Sequence, residues 1–406
     1  MSVLVALGLV LLLGLSGGVV ARKLGLPSIT GYVVIGLLLG PTVTGVISYE
    51  MVLALGPVVD IALGAIAYLI GVSLHTSTLR SLGRSISWIT LLQVFGGFLA
   101  VVAGLMLVIA RVMPGYSLLQ EYLPFALLMG AISAATAPAA VLAIIRELRA
   151  KGPMTTTLLA VVALDDAIAV VLFAVMMVAS AVLAGIAIDG SPLLIVIDPF
   201  VHLAGAVLLG VGAAGGTLLL ARFVRSREVT LVLVLGAVVL SYGLAEAFSM
   251  SGIMACMSLG FVIGNRRRAG DLVLAVDDVQ AVLFTMFFVV SGFHFDAAAI
   301  SVAGPLAVVV VVVRCLGKYF GARLGAWIGR APPGVGENVG LALMPQAGVS
   351  LGLALVAAAS FPEMAAALIS VTIASVIINE LITPPMARKA LVRAGEARPE
   401  GREERA

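Results

Sequence analysis

Apolar runs of about 20 residues follow one another along almost the whole chain, and no other feature restricts its fold so strongly. A helix of that length crosses a hydrocarbon core of about 30 Å, whereas a barrel strand needs only about 10 residues. Backbone surrounded by lipid must satisfy its own hydrogen bonds, which a helix does within one segment. Thirteen such segments are legible, at 3–20, 29–47, 52–74, 86–110, 123–145, 156–184, 199–221, 229–247, 250–265, 279–293, 299–327, 336–359 and 363–387. Only 11% of the residues are charged, where a soluble domain carries about 25%, so no soluble domain is expected beside them. The expectation is an all-α polytopic membrane protein over residues 1–388, followed by a short charged tail at 389–406 without fixed structure. The opening run, MSVLVALGLVLLLGLSGG, lacks a basic leader and is read as the first span, not as a signal peptide.

The ninth and tenth segments are short, and charge provides an independent check on them. With the N-terminus outside, 21 of the 24 lysines and arginines fall in cytoplasmic loops or the tail, and only Arg111 lies in an outside loop. This is the positive-inside pattern, alternating without a break. Omitting one short span would put every later basic loop on the wrong side. Thirteen helices, N-outside and C-inside, in a cytoplasmic (inner) membrane, is therefore the expected topology. Cys256 and Cys315 both lie in apolar segments and are expected to be buried thiols, not a disulfide. No nucleotide fingerprint, zinc-ligand spacing or nucleic-acid module occurs, so no cofactor and no nucleic-acid partner are expected. The formal charge of +3 comes from the cytoplasmic loops and calls for no acidic partner.

Charged residues interrupt the apolar pattern at mid-membrane depth. The sixth segment reads VVALDDAIAVVLF over 161–173, with Asp165 and Asp166 side by side. A rise of about 1.5 Å per residue from Thr156 puts them about 15 Å deep. In the eleventh segment, the same arithmetic from Ala299 places Arg314 about 22 Å along, also near the middle, with Lys318 one turn further toward the cytoplasm. A charge at the centre of a span costs about 2.5–3.5 kcal/mol and marks a functional site. Successive helical residues point about 100° apart, so one aspartate can face a basic partner while its neighbour faces a cavity.

Proline interrupts the pattern at the same depth. The fifth segment contains GAISAATAPAAVLAII, with Pro138 after Thr136; the twelfth contains GLALMPQAGVSLGLAL, with Pro345 and Gly348. Each proline removes a backbone donor. Irregular backbone is tolerated in a membrane where it lines a cavity or is buried in protein. The two segments run in opposite directions on the thirteen-span count. Such a pair points to a transport site between inverted repeats, here segments 4–6 and 11–13. A lone proline is most often only a kink, and a buried Asp with an Arg is often a structural ion pair. All of these at one depth, in symmetric positions, favour function.

These residues resemble the monovalent cation:proton antiporters, in the branch that holds bacterial sodium/proton antiporters and potassium-efflux systems. The likeness lies in TAPAAVLAIIRELRAKG with LLAVVALDDAIAVVLF, in YGLAEAFSMSGIMACMSLGFVIGN, in FTMFFVVSGFHFDAAAI, in PQAGVSLGLAL and in LGLPSITGYVVIGLLLGP, and it runs from Leu4 to about Met386. It implies a homodimer. Scaffold helices over about 3–74 and 229–293 would hold a mobile core over about 86–184 and 299–387, with a linker helix over about 199–221. Two broken helices would cross in the core, which moves as an elevator to expose the ion site to each side in turn. The resemblance makes Asp166 the carrier of cation and proton, and pairs Asp165 with the basic residue aligned at Arg314. Many electrogenic relatives have lysine there; arginine effectively cannot release its proton. Backbone and hydroxyl oxygens around Thr136 and Ala137 complete the implied site.

The chemistry agrees with those roles. Hard cations such as sodium take oxygen ligands, and burial disfavours the charged form of a carboxylate. A proton and a cation can therefore compete for one aspartate, and competition at a single alternating site is antiport. Sodium or lithium is the cargo the paired aspartates imply through the resemblance, with potassium the alternative. Potassium-efflux relatives usually show Gln-Asp where this chain has Asp165-Asp166, and carry a nucleotide-binding domain that has no counterpart here. An intramembrane aspartyl protease would need its aspartates on separate helices, commonly with a Gly-x-Gly-Asp motif. A passive channel would need a symmetric filter. Four lesser candidates are Asp60 in the third segment, Gln346 beside Pro345, and Glu380 with Asn379 near the end of the last segment, Glu380 being an alternative partner for Arg314.

Overall fold

The computed structural model describes residues 2–112, 117–186, 192–224, 226–266, 272–273, 275–277, 279–293, 297–346 and 349–397. Among them every regular element is helical. In chain order these are α1 (Val3–Lys23), α2 (Ser28–Leu39), α3 (Tyr49–Ala54), α4 (Gly56–Ser73), α5 (Thr76–Val112), α6 (Leu123–Ile132), α7 (Pro138–Glu147) and α8 (Pro153–Ala184). There follow α9 (Pro192–Leu220), α10 (Arg227–Ala247), α11 (Gly252–Gly264), α12 (Gln280–Phe293), α13 (Ala297–Gly329), α14 (Val335–Ala342), α15 (Val349–Ser360) and α16 (Ala365–Arg393). Eight of the described helices are long and apolar enough to cross a membrane. Each of the thirteen apolar segments contains one helix or two separated by a break, although the second, 29–47, runs on past the end of α2 at Leu39. Large apolar side chains such as Leu4, Leu53, Leu107 and Trp327 are left exposed, as lipid contact requires.

Helix ends follow local chemistry. The hydroxyls of Ser2, Ser226 and Ser251 accept hydrogen bonds from Val5, Val229 and Met254 at the starts of α1, α10 and α11. Gly185, with φ of 69°, stops α8 in the left-handed conformation that glycine adopts without strain. Both cysteines are free thiols.

The chain divides into two compact units, Met1–Ser81 with Phe200–Phe293, and Leu82–Pro199 with His294–Ala406. In the first unit α4 packs on α11 and α2 on α12. Small residues permit these approaches: a Cβ on Gly71 would lie 2.8 Å from Phe261 N, and one on Gly36 would lie 2.9 Å from Gly292 Cα. The Tyr68 hydroxyl donates to Leu272 O at 2.8 Å.

In the second unit α13 lies against α16 and α14, and α6 against α8, around an apolar core that includes Phe125, Met129, Leu172, Phe173 and Phe361. A seam of glycines brings α5 and α13 together. Gly317, Gly321, Gly325 and Gly329 recur every fourth residue, which puts them on one face of α13. A Cβ on Gly96 would meet Gly317 O at 2.6 Å, and one on Gly329 would meet Ser85 Cα at 2.6 Å.

The charged tail departs from expectation as far as it is described. α16 continues through residue 389 to Arg393, because Ala387, Ala390 and Leu391 are buried on its inner face. Glu396 then docks on the start of α8. Its Oε1 accepts from Met154 N at 2.7 Å, and its Oε2 accepts from Thr155 N and Thr155 Oγ1, each at 2.7 Å. These are N–H groups that a helix leaves without internal partners.

Candidate functional site

The site is built in the second unit, where two helices stop in mid-segment. α6 ends at Ile132 and α7 begins at Pro138; α14 ends at Ala342 and α15 begins at Val349. The proline of the first break occupies the first position of the helix that follows, where its missing N–H costs nothing. The two interruptions touch. Ala137 N donates to Pro345 O at 2.9 Å, Thr136 Oγ1 donates to Leu343 O at 3.3 Å, and Ser350 Oγ donates to Ile132 O at 2.9 Å. Gly348 lies outside the described residues.

A helix that ends in an apolar interior leaves carbonyls unpaired and a partial negative charge. Here two cations of α13 answer that need. Arg314 and Lys318, four residues apart, share a face of the helix and are fully buried. Arg314 donates to three carbonyls: Nε to Ser133 at 2.6 Å, Nη2 to Ala135 at 2.7 Å and Nη1 to Met344 at 2.5 Å. One guanidinium thus closes the ends of both α6 and α14. Lys318 Nζ donates to Ala134 O and pairs with Asp165 Oδ2 at 3.4 Å.

This geometry corrects the expected pairing of Arg314 with Asp165. The rigid fork of an arginine suits several carbonyls spread around it, whereas an ammonium is a point charge. The residue one turn further along therefore meets the carboxylate. Gln93 on α5 occupies the other oxygen, with Nε2 donating to Asp165 Oδ1 at 2.5 Å. Asp165 is fully buried and held at both oxygens. Asp166 differs. It is half-buried, and its Oδ1 has no hydrogen-bond partner among the described residues. A hundred degrees of helical rotation separates a carboxylate held at both oxygens from one with an unpartnered oxygen.

The carbonyls of residues 133–135, freed by the first break, are occupied by the two cations. The Ala137 carbonyl accepts from Val141 N within α7, and the Thr136 hydroxyl, which donates its hydrogen bond to Leu343 O, keeps its lone pairs. Behind the second break runs a buried chain of amides. Asn379 Nδ2 donates to Gln346 Oε1 at 3.0 Å, and Gln346 Nε2 donates to Ser350 Oγ at 2.9 Å. Gln346 thus reaches the end of α6 through Ser350. Glu380, next to Asn379 on α16, is buried. Asp60 lies in the first unit, where it accepts from the Tyr242 hydroxyl at 3.3 Å. Among the described residues no group of three or more His, Cys, Asp or Glu is placed to hold a metal ion. Gln93 and Ser350 are the contributors that sequence reasoning missed. The signal for Gln93 was a single amide within the apolar run ITLLQVFGGFLAVV.

The family described as sodium/hydrogen exchanger, transmembrane, matches residues 8–389. The chain is 26% identical over 395 residues to the ammonium/H+ antiporter subunit AmhT of Alkalihalophilus pseudofirmus, covering 94% of this chain and 93% of that one. It is 24% identical over 397 residues, 94% of each chain, to the Na+/H+-K+ antiporter GerN of Bacillus cereus. Its fold is similar to that of the sodium proton antiporter MjNhaP1 of Methanocaldococcus jannaschii. That likeness has a TM-score of 0.71 at 19% identity and covers 96% of this chain and 98% of that one. A family match of this length settles where the sequence belongs: the chain is a member of the sodium/hydrogen exchanger family of membrane cation/proton antiporters.

Proposed function

We propose that the protein exchanges Na+ or Li+ for H+ across the cytoplasmic membrane, with cation and proton competing for Asp166. The observation that carries this reading is the asymmetry of the two aspartates. Each oxygen of Asp165 accepts a hydrogen bond, from Gln93 or Lys318, while Asp166 Oδ1 has no partner among the described residues. An unpaired buried acceptor is costly unless something occupies it in turn. A proton satisfies it as a carboxylic acid, and a cation satisfies it as a carboxylate. The Thr136 hydroxyl supplies a further oxygen, while Arg314 and Lys318 offset the negative helix ends. The second unit acts as the moving core of a homodimer and presents Asp166 to each side in turn. The alternating inside and outside loops of the thirteen-span count support an N-outside, C-inside orientation.

The relatives AmhT and GerN are named for ammonium and for sodium and potassium, so the test must include those cations. Purified protein in sealed liposomes with an acid interior is given Na+, Li+, K+ and NH4+ in turn. Release of lumenal protons by Na+ or Li+ is expected. Release by K+ or NH4+ alone would keep the exchange and change the cargo. No release by any cation would overturn the proposal. The same vesicles with an imposed membrane potential report on Lys318. Exchange driven by the potential in wild type but not in Lys318→Gln places that lysine among the proton carriers; an equal response in both leaves it a brace.

A further inference from the structure

A further helix brings a side chain against Asp165. Gln93 lies on α5, a helix without a break, on which Arg80 and Arg84 are exposed. Its side chain is fully buried. The glycine seam explains how an amide on α5 reaches Asp165: a Cβ on Gly321 would lie 3.0 Å from Gln93 Cα itself. One turn along α5, a Cβ on Gly97 would lie 2.9 Å from Lys318 Cγ, so Lys318 runs to Asp165 beside the same helix. The three residues Gln93, Lys318 and Asp165 therefore form one contiguous buried cluster.

The orientation of the amide is set by chemistry. A carboxylate only accepts, so Gln93 must turn its nitrogen to Asp165 and its oxygen elsewhere. That oxygen, Oε1, is buried and has no partner among the described residues. Covalent geometry keeps it within about 5 Å of Asp165 Oδ1. Two more buried oxygens have no partner among the described residues, Asp166 Oδ1 and Ser133 Oγ, each in a residue next in the chain to one that binds Lys318. Asp166 follows Asp165 in the chain, and Ser133 precedes Ala134, whose carbonyl holds Lys318. Buried polar atoms are almost always satisfied, so these three oxygens need an explanation. Acceptors without donors are what a dehydrated hard cation requires.

We infer that Gln93 is a specificity-determining residue of the cation site: its amide nitrogen positions Asp165, and its amide oxygen ligates the cation carried by Asp166. The inference rests on the exchange reading above and adds to it a ligand from α5. Space-filling alone makes a different prediction, since methionine has similar length and volume and no amide.

Gln93→Met and Gln93→Asn are compared with wild type in liposomes, with initial rates measured against Na+ and Li+ concentration. Melting temperatures in detergent with and without each cation give a second readout that needs no transport, because a bound ligand stabilises the folded state. For Gln93→Met, KM for Na+ rises about tenfold and the Na+:Li+ preference changes. The stabilisation by Na+ shrinks in parallel. A Gln93→Met protein with wild-type KM, preference and cation-dependent melting overturns the inference while the exchange reading stands. If the methionine variant does not fold, Gln93→Asn decides by the same quantities, since its amide is one carbon too short to serve both partners. A wild type that neither moves nor is stabilised by any cation overturns both.

Discussion

Two adjacent aspartates do different work because a helix turns them to different surroundings. Asp165 accepts hydrogen bonds from a lysine and an amide, whereas Asp166 Oδ1 has no hydrogen-bond partner among the described residues. Removing one partner of a buried ion pair leaves an uncompensated charge and costs about 3–5 kcal/mol. Lys318→Ala is therefore expected to lower thermal stability markedly, and Asp165→Asn in the same background to restore part of the loss; a melting-temperature cycle over the four proteins measures it. Arg314→Lys is expected to lose stability as well, because one ammonium cannot close three carbonyls pointing from two helix ends. The residues Asp165, Asp166, Arg314 and Lys318 could all be named from the sequence, since a charge in a membrane span stands out against its neighbours. Which cation meets which carboxylate could not. Arg314 and Lys318 lie one turn apart on one face, and only the position of the carbonyls at 133–135 and 344 decides between them.

Among elements, proline was an ambiguous sign of a break. Pro138 and Pro345 flank real interruptions, but Pro199, Pro305, Pro384 and Pro385 lie inside α9, α13 and α16. What distinguishes the two breaks is what receives the freed backbone groups: each has the other, together with Arg314. Apolar length located the helices well, but it carried no information on their lateral packing, which is why the seam between α5 and α13 went unread. Bulk introduced there is expected to separate the helices. Gly317→Leu should reduce folded yield and weaken the contact of Gln93 with Asp165 more than Gly83→Leu, a glycine with open space around it. The tail offers a milder test. Glu396 caps the helix that carries both aspartates, and a lost cap costs about 1 kcal/mol. Glu396→Ala should lower the melting temperature by a few degrees. An unchanged value would mean the contact contributes nothing.

For the whole molecule, orientation and chemistry are separate claims with separate measurements. With Cys256 and Cys315 replaced by alanine, a cysteine at Ser2 should react with an impermeant reagent added to intact cells. One at Arg405 should react only after the membrane is opened. The reverse pattern would invert the topology that the basic loops imply. The exchange itself turns on Asp166. The decisive comparison is cation-induced proton release from acid-interior liposomes holding wild type, Asp165→Asn or Asp166→Asn, each verified as folded by its melting curve. Release by wild type and its loss in Asp166→Asn is the expected result, with Asp165→Asn keeping some activity at a changed cation affinity. Wild-type release from a folded Asp166→Asn protein would contradict the role given to that carboxylate, and with it the central claim.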